Sequence, residues 1–487
     1  MAITIKDLQP REVWKHFEAL TQVPRPSGHL EKIQQFLLDF GKSINVKTWQ
    51  DEAGNIIMRK PATPGLENRK GIILQAHMDM VPQKTPESTH DFENDPIKTI
   101  VKGDWLYADD TTLGADNGLG VAAIMAIFED NTLTHGPLEA LITADEETGM
   151  FGAFGLKGGE LQGELLLNLD SEEEGVLYIG CAGGANITAS MEFMEVEPCD
   201  EDDAAVKVTL KGLRGGHSGL EINEGRGNAN KLMARFVREA MDELAVVLAN
   251  WNGGNMRNAI PASCEVVLTL PEEAIDELKA IAAKYEALYN SEYATIEEGI
   301  TLTVSEAEMP ETVVPQEIQD NLVDVILACH DGVLRFIPTI PDTVETSSNL
   351  ASVRMADGEV KIVLSQRSSA ASGKKDVADT VRAVFELAGA EVEVGEGYPG
   401  WKPNAKSEIL QIAIATYKQL FDKEPKVKAI HAGLECGLFL EKYPHLDMIS
   451  FGPTMRGVHS PDERLLIPTV ELWWKHLVAV LENAPKK

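Results

Sequence analysis

The rhythm of apolar and polar positions changes along the chain. Near the start, residues 11–22 and 29–42 repeat apolar positions every three to four residues, which predicts two amphipathic helices. The Pro24-Arg25-Pro26-Ser27-Gly28 loop separates them. Short continuous apolar runs follow at 71–76, 138–144 and 165–169 and read as strands buried on both faces. The apolar stretch 118–129 between the first two reads as a helix. Buried strands alternating with helices predict an α/β domain whose sheet is mixed, largely parallel and flanked by helices.

The texture changes near residue 185. Strands now alternate, with Val206, Val208 and Leu210 and later Val266, Leu268 and Leu270 on one face. Amphipathic helices at 229–245 and 272–289, a strand pair at 348–354 and 359–366, and a helix at 374–388 complete an α+β region with one exposed sheet face. Buried α/β texture returns with a helix at 407–421, an apolar segment at 447–451 and a last helix from Thr469. The expected organisation is one α/β domain formed by residues 1–185 and 399–487, interrupted by an inserted domain at 186–398.

Composition narrows the function. The 487 residues are 44% hydrophobic and 25% charged, a globular profile, and no apolar run reaches the ~20 residues of a membrane span. The start, Met1-Ala2-Ile3-Thr4-Ile5-Lys6-Asp7, carries no expected secretory signal. Cys181, Cys199, Cys264, Cys329 and Cys436 form no C-x-x-C pair, which suggests reduced thiols and a cytoplasmic location. A net charge of −33, from 44 basic and 77 acidic residues, disfavours nucleic acid and anionic membranes as partners. Most of those acids, including the runs Asp170-Ser171-Glu172-Glu173-Glu174 and Glu201-Asp202-Asp203, read as solvated faces.

A few acids stand apart by position. The first buried strand delivers Gln75-Ala76-His77-Met78-Asp79, the second Ala144-Asp145-Glu146-Glu147 and the third Leu169-Asp170. Ligands of open α/β sheets bind at the carboxyl ends of strands, so these side chains should converge. Asp116, in Gly114-Ala115-Asp116-Asn117-Gly118, and His459, in Arg456-Gly457-Val458-His459-Ser460-Pro461, can join them. Two imidazoles and three carboxylates suit zinc, cobalt or manganese, and a bridging carboxylate serves a metal pair that activates water. In the Glu146-Glu147 doublet one carboxylate can hold metal while its neighbour takes a proton. Asp79, two residues beyond His77, is placed to fix the imidazole tautomer. Each residue alone has a bland reading, as a capped strand end or part of an acidic run; the combination does not.

These motifs, together with Gly215-Gly216-His217-Ser218-Gly219 and His431-Ala432-Gly433-Leu434-Glu435-Cys436-Gly437, resemble the di-zinc metallopeptidases that include carnosinases, tripeptidases and aminoacylases. Within that family the resemblance is to the Xaa-His dipeptidase subfamily, and it spans essentially the whole chain. It implies His77 and Asp170 on one zinc, Glu147 and His459 on the other, and Asp116 bridging through a cis Asp116-Asn117 peptide. It makes Glu146 the general base and Asp79 the carboxylate behind His77, with cobalt or manganese as substitute metals. It also implies an inserted lid and dimerisation domain, a homodimer, and hydrolysis of dipeptides such as β-alanyl-histidine by water held between the metals.

In the inserted region His217 is implied to stabilise an oxyanion, from its own subunit or the partner's; read without the resemblance it is a loop histidine. Arg367, at a strand end, could clamp a substrate carboxylate or form a surface salt bridge. Asn258 could hold substrate or occupy a turn, and Gly433 joins them as an implied substrate contact. Leu232, Phe236 and Met241 read as core, and Trp473-Trp474 as packing. Cys436 has no partner arrangement of a nucleophile, and His90, His135, His330, His445 and His476 lack a supporting constellation. Alternatives on the same fold are an aminotripeptidase or an N-acyl amino acid deacylase; a non-catalytic metal-binding protein would be expected to lack the base or a ligand.

Overall fold

In a computed structural model of the chain, the structure describes residues 4–193, 197–198 and 203–487. Cys199, Glu201, Asp202 and Met1–Ile3, named above, lie outside them. The chain divides into two compact units. The first runs to Gly180 and resumes at Trp401–Ala429 and Leu434–Lys487; the second comprises Cys181–Gly400 and Ile430–Gly433. The short stretch 430–433 thus groups with the second unit, although the sequence pattern keeps it with the returning α/β segment.

The first unit is built on a sheet whose strands lie in the order Lys47–Gln50, Ile56–Lys60, Leu138–Thr143, Ile72–His77, Leu165–Asn168, Asp447–Ser450, Val176–Cys181 and Lys426–Ile430. The central run from Leu138–Thr143 to Asp447–Ser450 is parallel. Pairings with Ile56–Lys60 on one side and Val176–Cys181 on the other are antiparallel. Every residue of Ile72–His77, Leu138–Thr143 and Leu165–Asn168 is buried, which is why these strands read as unbroken apolar runs. The edge strand Lys47–Gln50 and its neighbour Ile56–Lys60, which the apolar pattern did not reveal, are partly polar and short.

Helix Ala115–Glu129 packs on Ile72–His77, and Arg11–Thr21 packs on that helix. It is apolar all round and buried along most of its length, so no amphipathic stripe marks its start. It begins at Ala115, ahead of the predicted 118. A smaller sheet joins Met455–Arg456, Arg464–Leu466, Trp105–Ala108 and Thr99–Lys102. Its hairpin between Met455–Arg456 and Arg464–Leu466 carries His459 in the intervening loop.

The second unit holds an antiparallel sheet in the order Thr301–Glu306, Asp203–Lys211, Cys264–Pro271, Val247–Gly253, Val344–Ala356, Glu359–Ser368, Gly183–Glu192 and Glu391–Val394. The alternation read from sequence is realised: Val206, Val208, Leu210, Val266, Leu268 and Leu270 are all buried. Helices Ala229–Glu243, Ile275–Glu292, Gln316–Ala328 and Ala371–Leu387 contribute Phe236, Tyr289, Leu322 and Phe385 to the same core as Trp251. Leu232 and Phe236 are buried there, with Met241 partly buried against them. Trp473 and Trp474 are packed in the first unit. Cys264 and Cys329 are buried free thiols whose pKa burial raises. Among the described residues no helix is long and apolar enough to cross a membrane.

Candidate metal centre

The three central parallel strands place His77 beside Thr143 and Gln75 beside Asn168. They therefore end at one edge of the sheet, and the candidate site side chains follow those ends. His77 is the last residue of its strand and is 1% exposed. Glu146 and Glu147 follow Asp145, whose φ of 49° turns the chain sharply after Leu138–Thr143. Asp116 sits in the first turn of Ala115–Glu129 with non-helical backbone angles, and its peptide bond to Asn117 is cis. His459 adopts a left-handed φ of 62°, which a non-glycine residue seldom holds without constraint.

Around Asp116 the geometry is bipartite. Its Oδ1 lies 3.1 Å from His77 Nε2, and its Oδ2 lies 3.1 Å from His459 Nε2. His77 Nε2 is also 3.3 Å from Asp170 Oδ1, and His459 Nε2 is 3.0 Å from Glu147 Oε2. One carboxylate therefore faces two imidazoles, each with a further carboxylate beside it. Donor atoms of His77, Asp116 and Asp170 lie within 4.8 Å of one another, as do those of Asp116, Glu147 and His459, and of His77, Glu146 and Glu147. The second oxygen of Glu147 is buried with no protein partner. An unsatisfied carboxylate oxygen among mixed imidazole and carboxylate donors fits a divalent-ion site.

Behind His77, Asp79 places Oδ1 3.3 Å from Nδ1. The same carboxylate accepts the backbone N–H groups of Glu146 at 3.0 Å and Glu147 at 3.2 Å, and the Ser27 hydroxyl at 2.8 Å. One side chain thus orients the imidazole and the Glu146-Glu147 turn together.

Three further buried ionisable side chains were not singled out by the sequence pattern. Glu435 accepts from Gln75 at 2.6 Å and from the Thr143 hydroxyl at 2.7 Å, while its other oxygen is unpartnered. Glu463 accepts backbone N–H groups at the mouth of Ala115–Glu129, and Arg25 donates to carbonyls of Met78, Asp79 and Gly114. Arg25 and Glu435 lie in quoted motifs, so a signal existed for them; Glu463 stands only four residues beyond His459.

The side chains alone crowd like charges. Hydrogen bonds with Asp116 and Glu147 push His459 up to about 11. Burial works against a charged His77, yet Asp170, Asp116 and Asp79 together hold it well above the usual imidazole range. Burial would raise Asp116, but its two imidazole partners hold it far below a usual carboxylate. Burial pushes Asp170 up to about 7. Close packing, with the negative charges of Asp170, Glu435 and Glu147, raises Glu146 well above a usual carboxylate.

The second unit has its own polar cluster. His217 pairs across from Ala259 in a short ladder, and its Nδ1 accepts from the backbone N–H groups of Gly219 at 3.1 Å and Leu220 at 3.0 Å. Those two donors leave the proton on Nε2. Burial and the nearby Arg367 charge lower its pKa to about 4, so the ring is a neutral donor. Gly219 approaches closely, because a Cβ there would meet the His431 carbonyl at 2.3 Å.

Arg367 is buried at the end of Glu359–Ser368; it donates to the Tyr398 hydroxyl at 3.0 Å and leaves Nε without a partner. The surface salt bridge considered for it is not what this buried side chain makes. Gly433 packs on the Tyr398 ring. His431, missed as a side chain, lies 2.7 Å from the Ser347 hydroxyl, and burial then Arg367 lower it to about 3. Asn258 is exposed in a turn, where its carbonyl accepts from Ser218 at 2.9 Å.

The sequence signature of peptidase family M20/M25/M40 matches residues 73–483. The chain is 42% identical over 483 residues to the cytosol non-specific dipeptidase of Escherichia coli, covering 99% of each. The crystal structure of aminoacylhistidine dipeptidase from Vibrio alginolyticus superposes with a TM-score of 0.91 at 42% identity, covering 100% of this chain and 99% of that one. A tripeptidase from Staphylococcus aureus shares the fold, with a TM-score of 0.57 at 17% identity over 98% of both chains.

The neighbouring carboxylates raise the proton affinity of His77 and His459, so a divalent ion taking these imidazoles as ligands would compete with protons. Titrating chelator-treated protein with Zn2+ near neutral pH should release protons, counted by calorimetry in buffers of different ionisation enthalpy. Apparent affinity should weaken as pH falls. Binding without proton release, or with no pH dependence, would show that these imidazoles are not held protonated in the ion-free cluster.

Proposed function

This chain belongs to peptidase family M20/M25/M40 and is a peptide-bond hydrolase, and we propose that it is a dinuclear metal-dependent dipeptidase acting on Xaa-His and related dipeptides. The observation that carries the metal reading is Asp116, whose two oxygens face two different imidazoles. One ion would be held by His77, Asp170 and Asp116, the other by Glu147, His459 and Asp116. Zinc, with cobalt or manganese as substitutes, suits this nitrogen and oxygen set. When bound, such a pair lowers the pKa of water towards neutrality and draws charge from a carbonyl oxygen.

The chain's own residues supply the rest. Glu146 takes the proton of the attacking water and returns it to the leaving amine; its crowded surroundings, which raise its proton affinity, suit that exchange. Asp79 keeps His77 oriented through Nδ1. His217, neutral with its proton on Nε2, donates to the developing oxyanion, in its own or a partner subunit. Arg367, with unused guanidinium donors, and the backbone at Gly433 receive the substrate's terminal carboxylate, with Asn258 as a further polar contact.

The printed names of two relatives support the substrate class: one is a non-specific dipeptidase, the other an aminoacylhistidine dipeptidase. The first is also named a cytosol enzyme, which supports a cytoplasmic location. A homodimer, in which the second unit serves as lid and dimerisation domain, completes the proposal. Nucleic acid and membranes are not proposed as partners, in keeping with the net charge of −33.

The decisive assay is hydrolysis of β-Ala-His, Gly-His, Gly-Leu, a tripeptide and an N-acetyl amino acid, before and after chelation and zinc restoration. Chelator-sensitive cleavage of the histidine dipeptides, restored by zinc, is expected. Preference for the tripeptide or acetylated compound would move the substrate assignment, and no metal-dependent cleavage would favour a non-catalytic metal-binding protein. Glu146→Gln should retain its metal and lose about 10²–10⁴-fold in kcat; a wild-type rate would remove the base assignment. Arg367→Ala should raise KM about tenfold or more for free dipeptides while leaving C-terminally amidated ones nearly unchanged. Equal losses on both substrates would argue against a carboxylate clamp.

A further inference from the structure

The carboxylate of Glu463 is 2% exposed and serves four successive backbone donors. One oxygen accepts from Leu113 at 2.7 Å and Gly114 at 2.9 Å; the other accepts from Ala115 at 2.8 Å and Asp116 at 3.3 Å. The Gly114 peptide is also held from its carbonyl side. Arg25, 3% exposed, donates there and to the carbonyls of Met78 at 3.0 Å and Asp79 at 3.1 Å. Gly114 has a φ of 67°, and a Cβ at that position would meet Arg25 Nη2 at 2.6 Å and Met80 Sδ at 2.8 Å. A buried guanidinium and a buried carboxyl group therefore grip the peptide units leading into Asp116.

Glu463 reaches this loop from a distant part of the chain, and it shares the Met455–Leu466 hairpin with His459. The hairpin that presents His459 to one oxygen of Asp116 thereby also fixes the backbone on which Asp116 is mounted. We propose that Glu463 is a positioning residue for Asp116, setting the aim by which its two carboxylate oxygens divide between the His77 and His459 sides. This rests on the reading of Asp116 as the bridging ligand. A carboxylate is the side chain the loop needs, since it presents two acceptors and no donor. A glutamine would turn its NH2 group towards two backbone N–H groups.

The test compares wild type, Glu463→Gln and Glu139→Gln. Glu139 is a buried carboxylate of the same unit that accepts from Arg59 at 2.8 Å and from the Gln162 and Gly163 N–H groups at 2.7 Å, apart from the ligand residues. Ion affinity would be measured by chelator competition with Zn2+ and Co2+, together with the visible spectrum of the Co2+ protein, thermal stability, and kcat and KM separately. Glu463→Gln is expected to weaken ion binding about 10–100-fold, change the Co2+ spectrum and lower kcat more than it raises KM. Glu139→Gln should lose thermal stability while keeping affinity and spectrum.

If Glu463→Gln loses only stability, as Glu139→Gln does, the positioning role is overturned. Should it fail to fold, Glu463→Asp, which keeps the charge but shortens the reach, is measured in its place; unchanged ion affinity and spectrum in that variant would equally overturn the role. Wild-type protein that binds no ion pair would remove the dinuclear reading itself, a result separable from failure of the variant alone.

Discussion

The structure turns on one carboxylate placed between two imidazoles. Asp116 gives an oxygen to each of His77 and His459 at 3.1 Å, and those contacts tie a strand end, a helix mouth and a distant hairpin loop to one point. The cost of such a point is electrostatic. Taking an ionised group out of water costs several kcal/mol in a folded protein, and this cluster gathers Asp79, Asp116, Glu146, Glu147 and Asp170 in one place. Protons on the imidazoles offset part of that cost, which is the physical reason both histidines are raised. The opposite directions taken by Asp116 and Asp170 follow from the same crowding. Asp116 has two cationic partners, whereas Asp170 shares only His77 and is pushed up by burial and by neighbouring carboxylates.

Neutralising charge is only half of the requirement, because the crowded side chains must also be held in place. Here the surrounding backbone is satisfied by side chains rather than by regular secondary structure. Asp79 accepts from the Glu146 and Glu147 amides, and Glu463 accepts from four amides before and at Asp116. A buried N–H left without a partner costs about 1–3 kcal/mol, so satisfying four of them is comparable to the several kcal/mol needed to bury the carboxylate. On that comparison a buried Glu463 is affordable only while all four donors are engaged. The left-handed backbone of His459, in the same loop, carries strain of order 1–3 kcal/mol that the surrounding contacts must hold.

How much of this was legible in the sequence depends on the kind of signal each residue leaves. His77, Glu146, Glu147 and Asp170 were readable because they interrupt or follow unbroken apolar strands, where burial alone predicts nothing polar. Asp116 and His459 were readable only through their motifs, since nothing in periodicity says that a helix mouth and a hairpin loop meet. Glu463 left no trace, because a side chain whose work is to accept backbone N–H groups has no sequence partner to pattern against. Arg25 and Glu435 were inside noticed motifs, yet their significance lies in carbonyls and side chains brought near by folding. The edge strand Lys47–Gln50 escaped for another reason: a half-exposed edge mixes polar residues and loses the apolar run that marks a central parallel strand, while the buried Ile56–Lys60 beside it is short and ends in the charged pair Arg59-Lys60.

The second unit shows the same economy with neutral groups. His217 is held by two amides on Nδ1 and kept uncharged by burial beside Arg367, so its outward nitrogen is a donor at any pH well above 4. A charged imidazole beside that guanidinium would add repulsion, and a ring free to exchange tautomers would present a donor only part of the time. The fold removes both alternatives with backbone alone, through the glycine-rich turn that lets Gly219 and Leu220 direct their N–H groups back at the ring. In both units the side chains are ordinary in type, and their protonation and orientation are selected by which backbone groups their neighbours leave free to point at them.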